Sequence, residues 1–393
     1  MRGLLVCFMF AVSALVAAED SILSKIKRES FEYDLQKSEV EAKKLHDSWI
    51  NPINMIYSDT KSDQYGLNQK SKSFKIVVDQ PIFKSGGIYF AIKYADATRE
   101  YTKLAVQENK KALILQAVDL LYSYKKSSLQ IKKQRLLIEN SRIDVIRKKE
   151  QYLAGLIDGS FLDQAILNKN MNEIALLDLQ SALEDIKKGF EDISDRNIED
   201  LEPPRFKLIE LNSFLKRNIA IRRASQEAMA KKYFSKMTVA RYLPSLSVTA
   251  SYNSQEISGS FFMPPGRESY KEYGFKITMP LFDINSFRNV ESTKIDYLKA
   301  ELAVMDFKRS QNNLYKNVIR KLRLLDKKIE LTREDIKLYR SLLEDTKTLF
   351  LAGEKTEYDV KTLENSLKIK KIDLKIYDIE KQRAIVQLYK KVM

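Results

Sequence analysis

Apolar residues recur at every seventh position along two long stretches of this chain. In the first they are Tyr124, Ile131, Ile138, Val145 and Tyr152; in the second, Leu322, Ile329, Ile336, Leu343 and Phe350. A seven-residue apolar repeat is the seam of a long helix packed along a neighbour. Every member of the first seam has its counterpart 198 residues further on, and both seams run into the same tetrapeptide pattern, Tyr152-Leu153-Ala154-Gly155 and Phe350-Leu351-Ala352-Gly353. Beyond the glycines the offset becomes 196, because the first copy carries two extra residues; Asp163, Leu167, Met171, Leu176 and Leu183 then align with Asp359, Leu363, Leu367, Ile372 and Ile379. The chain reads as a tandem duplication.

A period-two pattern precedes each seam. Phe74-Lys75-Ile76-Val77-Val78-Asp79-Gln80-Pro81-Ile82-Phe83 and Tyr273-Gly274-Phe275-Lys276-Ile277-Thr278-Met279-Pro280-Leu281-Phe282 both close on Pro-apolar-Phe, with the prolines 199 residues apart. The clearest alternation sets Leu246, Val248, Ala250 and Tyr252 against Ser247, Thr249, Ser251 and Asn253. Such a strand suits a half-buried hairpin on a soluble sheet or a membrane barrel wall, and alternation does not choose between them. Pro81 and Pro280 fall where strand gives way to helix, a place where proline both ends a ladder and fits a helix start.

These patterns predict a mainly α chain with a small β part, built as tandem α-β-β-α-α repeats over residues 19–200 and 201–393 that interleave into one fold. The first repeat opens with a helix over Ile22 to Asp47, a strand over Trp49 to Tyr57 and a loop over Ser58 to Ser71. The second opens with one helix over Phe206 to Arg241, with strands over Leu243 to Asn253 and Tyr270 to Met279 around a loop carrying Pro264-Pro265-Gly266. A polar connector ending in Pro203-Pro204 joins the repeats. From Ser85 to Ala154 only Gly86 and Gly87 interrupt an otherwise Gly- and Pro-free run of about 70 residues, a helix of roughly 105 Å.

That first long helix carries a second seam: Leu115, Tyr122, Leu129, Leu136 and Ile143. Two adjacent stripes let one helix pack on neighbours at both sides, as in a tunnel wall; a long antiparallel coiled-coil spacer is the other reading. Four strands cannot close a barrel, which takes about eight. If the strands lie in a membrane, several chains must share one barrel, and three would supply twelve strands.

Composition narrows the class. Met1-Arg2-Gly3, the apolar run Leu4 to Val16 and the small residues Val16-Ala17-Ala18 before Glu19 have the layout of a secretory signal peptide over residues 1–18. Cys7 is the only cysteine and lies inside it, so the mature chain is expected to hold no disulfide, thiolate metal site or cysteine nucleophile. The net charge of +15 is spread along helical faces among many acidic residues; with an export signal present, it reads as solvated surface rather than a nucleic-acid footprint. His46 is the only histidine, and there is no nucleophile motif and no phosphate loop. No enzyme, cofactor or metal is expected.

The duplicated strand ending in Gln80-Pro81-Ile82-Phe83 and Met279-Pro280-Leu281-Phe282, the two Ala-Gly tips and Asp359-Val360 six residues after Gly353 resemble the outer-membrane efflux proteins typified by TolC, over essentially the whole mature chain. The resemblance implies a homotrimer with a shared twelve-stranded β-barrel, a long coiled-coil helical tunnel nearly closed at its periplasmic end, and a place in the outer membrane, in contact with its lipid. It implies a passive exit duct of a tripartite efflux pump or type I secretion system, docking a periplasmic adaptor and an inner-membrane transporter. The gate carries over residue by residue. Asp359 matches the first acidic residue of the family's entrance, and Thr362 stands where a second Asp is found. Phe350 and Lys355 occupy the places of a Tyr and an Arg that tie the closed state to the first repeat, with Asp163 or Asp158 as the partner of Lys355. A ring of Asp359 carboxylates attracts cations. Gly155 and Gly353 form the tip turns. Two rivals, a periplasmic membrane-fusion adaptor and an envelope coiled-coil protein, account less well for two hairpins, few glycines and four symmetrically placed strands.

Overall fold

The structure, a computed structural model, describes residues 22–63, 68–258 and 265–392. The signal peptide expected over residues 1–18 and Pro264 of the second strand loop lie outside the described residues. Chain contacts divide the described residues into two compact units, each drawing on both repeats: one within residues 22–32, 107–219 and 309–392, the other within residues 33–106 and 220–308.

The elements in chain order are α1 (Lys25–His46), β1 (Asn54–Ser62), β2 (Gln69–Phe83), α2 (Gly87–Leu153), α3 (Gly159–Glu191), α4 (Leu211–Lys216), α5 (Ile219–Ala240), β3 (Ser245–Ser258), β4 (Gly266–Thr278), α6 (Ser286–Leu351) and α7 (Glu357–Tyr389). The duplication is visible in their lengths: α2 and α6 have 67 and 66 residues, and α3 and α7 have 33 each.

Two expectations are corrected. The strands run further into their loops than hydropathy indicates, to Ser62 and Ser258, because the polar ends Asp59-Thr60-Lys61-Ser62 and Gln255-Glu256-Ile257-Ser258 still find ladder partners on β2 and β4. The helix expected over Phe206 to Arg241 is broken: residues 201–210 are irregular, and Asn218 interrupts the rest by bridging to Val392, after which Ile219 N–H donates to Lys391 O. The connector is also less polar than it reads, since Ile193 and Ile198, like Phe206 and Phe214 beyond it, are buried in the main core with Leu115, Leu121, Phe190, Val318 and Leu388. Buried Tyr122 donates its hydroxyl to Pro204 O at the end of this connector. Burial pushes that phenol up to about 12, which keeps it a donor.

In the unit with the strands, β1-β2-β3-β4 form one antiparallel sheet in chain order. The register sorts its faces. Leu246 faces Ile277, Val248 faces Phe275, Ala250 faces Tyr273, and Phe74, Ile76 and Val78 continue the same apolar face. The other face carries Ser247, Thr249, Ser251 and Asn253, with Asp79 paired to Lys276 across β3 and Ser251 donating to Glu272. The apolar face is open, with Tyr273, Phe275 and Ile277 all more than half exposed. Beside the sheet lie α1, α2, α5 and α6 in that order, linked by Arg99–Glu39, by Tyr94 against Phe234, and by Thr293 with Ser235.

In the other unit the order is α3-α2-α7-α6. Gln134 of α2 donates to Asn172 of α3, and α7 is tied to α6 by Lys381–Asp326, Lys370–Asp335 and Lys347–Glu364. Both α2 seams are buried or part-buried over most of their length.

Candidate functional site

The predicted gate and tip residues gather at the turns that join α2 to α3 and α6 to α7 and on the first turns of the helices that leave them. Both long helices end in the same way. Gly155 has φ of +70° and Gly353 of +80°, the left-handed region that glycine enters without a Cβ penalty. Gly155 N–H donates to Tyr152 O and Leu156 N–H to Gln151 O; Gly353 N–H donates to Phe350 O and Glu354 N–H to Leu349 O. These are two copies of the Schellman stop, which satisfies the last free carbonyls of each helix.

The helices leaving the turns are capped differently. Asp158 caps α3, accepting from Ser160 N–H at 3.2 Å. Thr356 caps α7 in a reciprocal capping box: Asp359 N–H donates to Thr356 Oγ1, while Asp359 Oδ2 accepts from Thr356 N–H at 2.9 Å and from its hydroxyl at 2.8 Å. The other oxygen, Oδ1, accepts from Arg147 Nη2 of α2 at 2.6 Å. The Thr356 backbone and hydroxyl bonds, with the positive charges of Arg147 and Lys355, hold the Asp359 carboxyl below the usual carboxylate range against partial desolvation.

Arg147–Asp359 is the last rung of a ladder. Every seventh residue of α2 from Asp119 reaches α7: Asp119 to Arg383 (bidentate, 2.9 Å each), Lys126 to Glu380 (2.6 Å), Lys133 to Asp373 (2.7 Å), Asn140 to Asn365 (2.9 Å) and Arg147 to Asp359. Asn365 is fully buried, so the Asn pair penalises any slip in register. The sequence signal for this ladder was present as polar residues every seven positions beside the apolar seam, the place where coiled coils put their specifying charges.

The chain's residues 211–391 match the sequence profile of the family described as outer membrane efflux protein. The match lies within the second repeat. No curated protein is significantly similar in sequence. Solved structures resemble the whole fold. The outer membrane protein VceC of Vibrio cholerae is 14% identical, with 97% of each chain covered and a TM-score of 0.73. The CmeC outer membrane channel of Campylobacter jejuni is 13% identical over 95% of this chain and 84% of that one, with a TM-score of 0.73. The open state of the MtrE outer membrane channel of Neisseria gonorrhoeae is 13% identical over 92% and 85%, with a TM-score of 0.64.

Asp359, Thr356 and Lys355, which lie within the matched residues, form one electrostatic cluster with Arg147 of the first repeat. Lys355 acts on Asp359 four residues away; among the described residues no ion pair joins it to Asp163 or Asp158. Asp163 is exposed on the first turn of α3. Thr362 turns its hydroxyl back to Tyr358 O at 2.7 Å, inside its own helix. Phe350, without a hydroxyl, is 42% exposed. Pro81 lies two residues inside the end of β2, opposite Ser247, with a register shift between it and Phe83, and Pro280 follows β4 by two residues. Arg147 is the residue that sequence reasoning missed. Among the described residues no cluster of His, Cys, Asp and Glu is placed to hold a metal, and no helix is long and apolar enough to cross a membrane.

Proposed function

We propose that this chain is one subunit of a trimeric outer-membrane exit channel, a passive conduit for an efflux pump or type I secretion system that docks a periplasmic adaptor and an inner-membrane transporter. The observation that carries the reading is that each unit ends in open edges of opposite direction. The sheet stops at β1 and β4, which run antiparallel to one another, and the helical wall stops at α3 and α6, which do likewise. A β4 edge therefore meets the β1 edge of a second copy as one more antiparallel pair, and α6 meets α3 in the same sense. Such a heterologous contact closes into a ring when the rotation allows.

The side chains support closure. Edge helix α6 leaves Leu324, Leu331 and Leu338 exposed at seven-residue spacing, and α3 leaves Leu167, Met171 and Ile174 exposed. Unpaired strand edges are not tolerated in lipid, so the sheet enters a membrane only as part of a closed barrel. Strands of 13 to 15 residues in β2, β3 and β4 exceed the 9–11 needed to cross. Three copies give twelve strands with the Phe275 face toward lipid and the Thr249 face toward water. The tip cluster around Asp359 is the gate, and the fold supplies a conduit rather than catalytic chemistry.

The test is single-channel recording of the purified mature protein in a planar bilayer, with its helical content confirmed by circular dichroism. Discrete, long-lived, cation-selective steps are expected; folded protein that never inserts overturns the reading.

A further inference from the structure

A pocket of about 330 Å³ opens between the start of α2 and the end of α5, within the unit that holds the sheet. Its apolar walls are Trp49, Ile88, Met237 and Leu243, and its charged lining is Lys84 and Arg241. No carboxylate lines it, and among the described residues neither cation has an ion-pair partner within the chain. The first residues of α2, Gly87 and Ile88, also face it, adding the positive end of a helix. Gly87 lets the two helices close over the floor: a Cβ there would stand 3.3 Å from both Ala240 Cβ and Lys84 Cβ.

The surroundings identify the occupant. Gln80, whose side chain stands on the apolar face of the sheet beside Val248, accepts from Asn51 N–H and donates to Trp49 O, so the backbone at Trp49 is held next to that face beyond β1. Around the same strand-to-helix joints Ile50, Ile53, Ile82, Phe83, Leu281 and Phe282 are all more than half exposed. An apolar collar next to an apolar sheet face, with a tryptophan at its level, is the side-chain pattern of a membrane–water interface. A cationic pocket opening at that level meets lipid headgroups. Two cations with no carboxylate favour a headgroup of net negative charge over a zwitterionic one, whose ammonium would find no partner.

We propose that this pocket binds the headgroup of an anionic phospholipid, its phosphate held by Lys84 and Arg241 and its glycerol end against Trp49. The proposal rests on the membrane reading above, and it gives part of the basic surplus a job.

Trp49 is the only tryptophan, so its emission reports the pocket directly. The folded oligomer in detergent is titrated with phosphatidylglycerol, and separately phosphatidylcholine, brominated near the headgroup. Phosphatidylglycerol is expected to half-quench at about tenfold lower concentration. K84Q/R241Q should abolish that preference, and K84R/R241K should keep it with the same circular dichroism and elution. Equal quenching by both lipids, unchanged in K84Q/R241Q, overturns the proposal, because Trp49 then merely touches acyl chains. Inorganic phosphate that shifts the emission and competes with lipid overturns the lipid assignment in favour of a soluble anion. Flotation with vesicles separates the two levels: protein that floats without charge-dependent quenching refutes the pocket alone, whereas folded protein that does not float refutes the membrane reading beneath it.

Discussion

Arg147 and Asp359 meet at 2.6 Å although 212 residues separate them in the chain. The contact ties the end of the first repeat's long helix to the first turn of the second repeat's last helix, and it places a cation against the acidic residue that the gate reading puts at the entrance. Both side chains are about one-third exposed, so the pair is worth on the order of 1 kcal/mol rather than several. Its larger effect is on the field at the tip.

Arg147→Gln removes the neutralising charge and leaves Asp359 held by its cap. In a trimeric channel this exposes three carboxylates, so cation preference and block by polyvalent cations should increase, read from the reversal potential in a salt gradient. Asp359→Asn should lower cation preference by less than an unpaired ring would. If both variants keep wild-type selectivity, Asp359 does not line the conducting path.

The acid sensitivity of the second tip has a definite sign. Asp359 has its folded-state pKa lowered, chiefly by the Thr356 bonds. The unfolded chain takes up the proton first as pH falls, so the stabilisation is complete above the ordinary carboxylate range and is lost on acidification through it toward the lower folded value. Glu173 and Glu364, lowered by Lys169 and Lys347, titrate in the same direction. The part of this stabilisation that runs through the Thr356 hydroxyl is the difference between wild type and Thr356→Val in thermal melts taken at falling pH, since valine keeps the backbone bond. That difference should shrink as the pH drops; a constant gap would show that Thr356 acts without Asp359.

The tip glycines isolate backbone strain from packing. A Cβ at Gly155 or Gly353 meets nothing within 4 Å, yet both residues have positive φ. Gly155→Ala and Gly353→Ala should each cost about 1–2 kcal/mol from the left-handed conformation alone, and the double variant should cost their sum. Calorimetric melts that leave either single variant at the wild-type Tm would mean that its tip relaxes to another turn.

How far the fold was legible in the sequence follows from which interactions are local. The α2 seam from Tyr124 to Tyr152 placed the helix end within a residue, because the heptad and Gly155 are both read from neighbours in the chain. Strand ends were read too short at Tyr57 and Asn253: Asp59 and Gln255 are polar, and only their partners Lys72 and Ser73 across the ladder keep them extended. The break at Asn218 was hidden because it depends on Val392 and on Gln311, whose side chain accepts from it at 3.2 Å. At the gate, the capping box was readable as Thr356 and Asp359 three apart, whereas Arg147 was not, since nothing short of the α2–α7 register brings it there.

The two sheet faces should respond oppositely to charge. Phe275→Lys puts an ammonium on the apolar face three residues from the end of β4, where the cost falls between the about 2–4 kcal/mol of the bilayer midplane and the about 0–1 kcal/mol near its interfaces. Thr249→Lys, its neighbour on the polar face, should fold and insert and change only conductance. Vesicle flotation and bilayer recording on the pair check this; equal tolerance would remove the sheet from lipid.

The ring contact is tested at the helix edges, far along the chain from the strands. Leu331 of α6 and Met171 of α3 are 54% and 66% exposed within one chain. Each is an apolar residue more than half exposed in its own fold and lies on an edge helix that a second copy would cover. Leu331→Glu and Met171→Glu should leave the circular dichroism of the subunit unchanged, because neither touches the Leu115–Leu388 core. Both should shift the assembly toward monomer in mass photometry, and each should lose inter-subunit crosslinking between α6 and α3. A trimer that survives both substitutions would place the contact elsewhere on the helices, and the open edges of the wall would then need another partner.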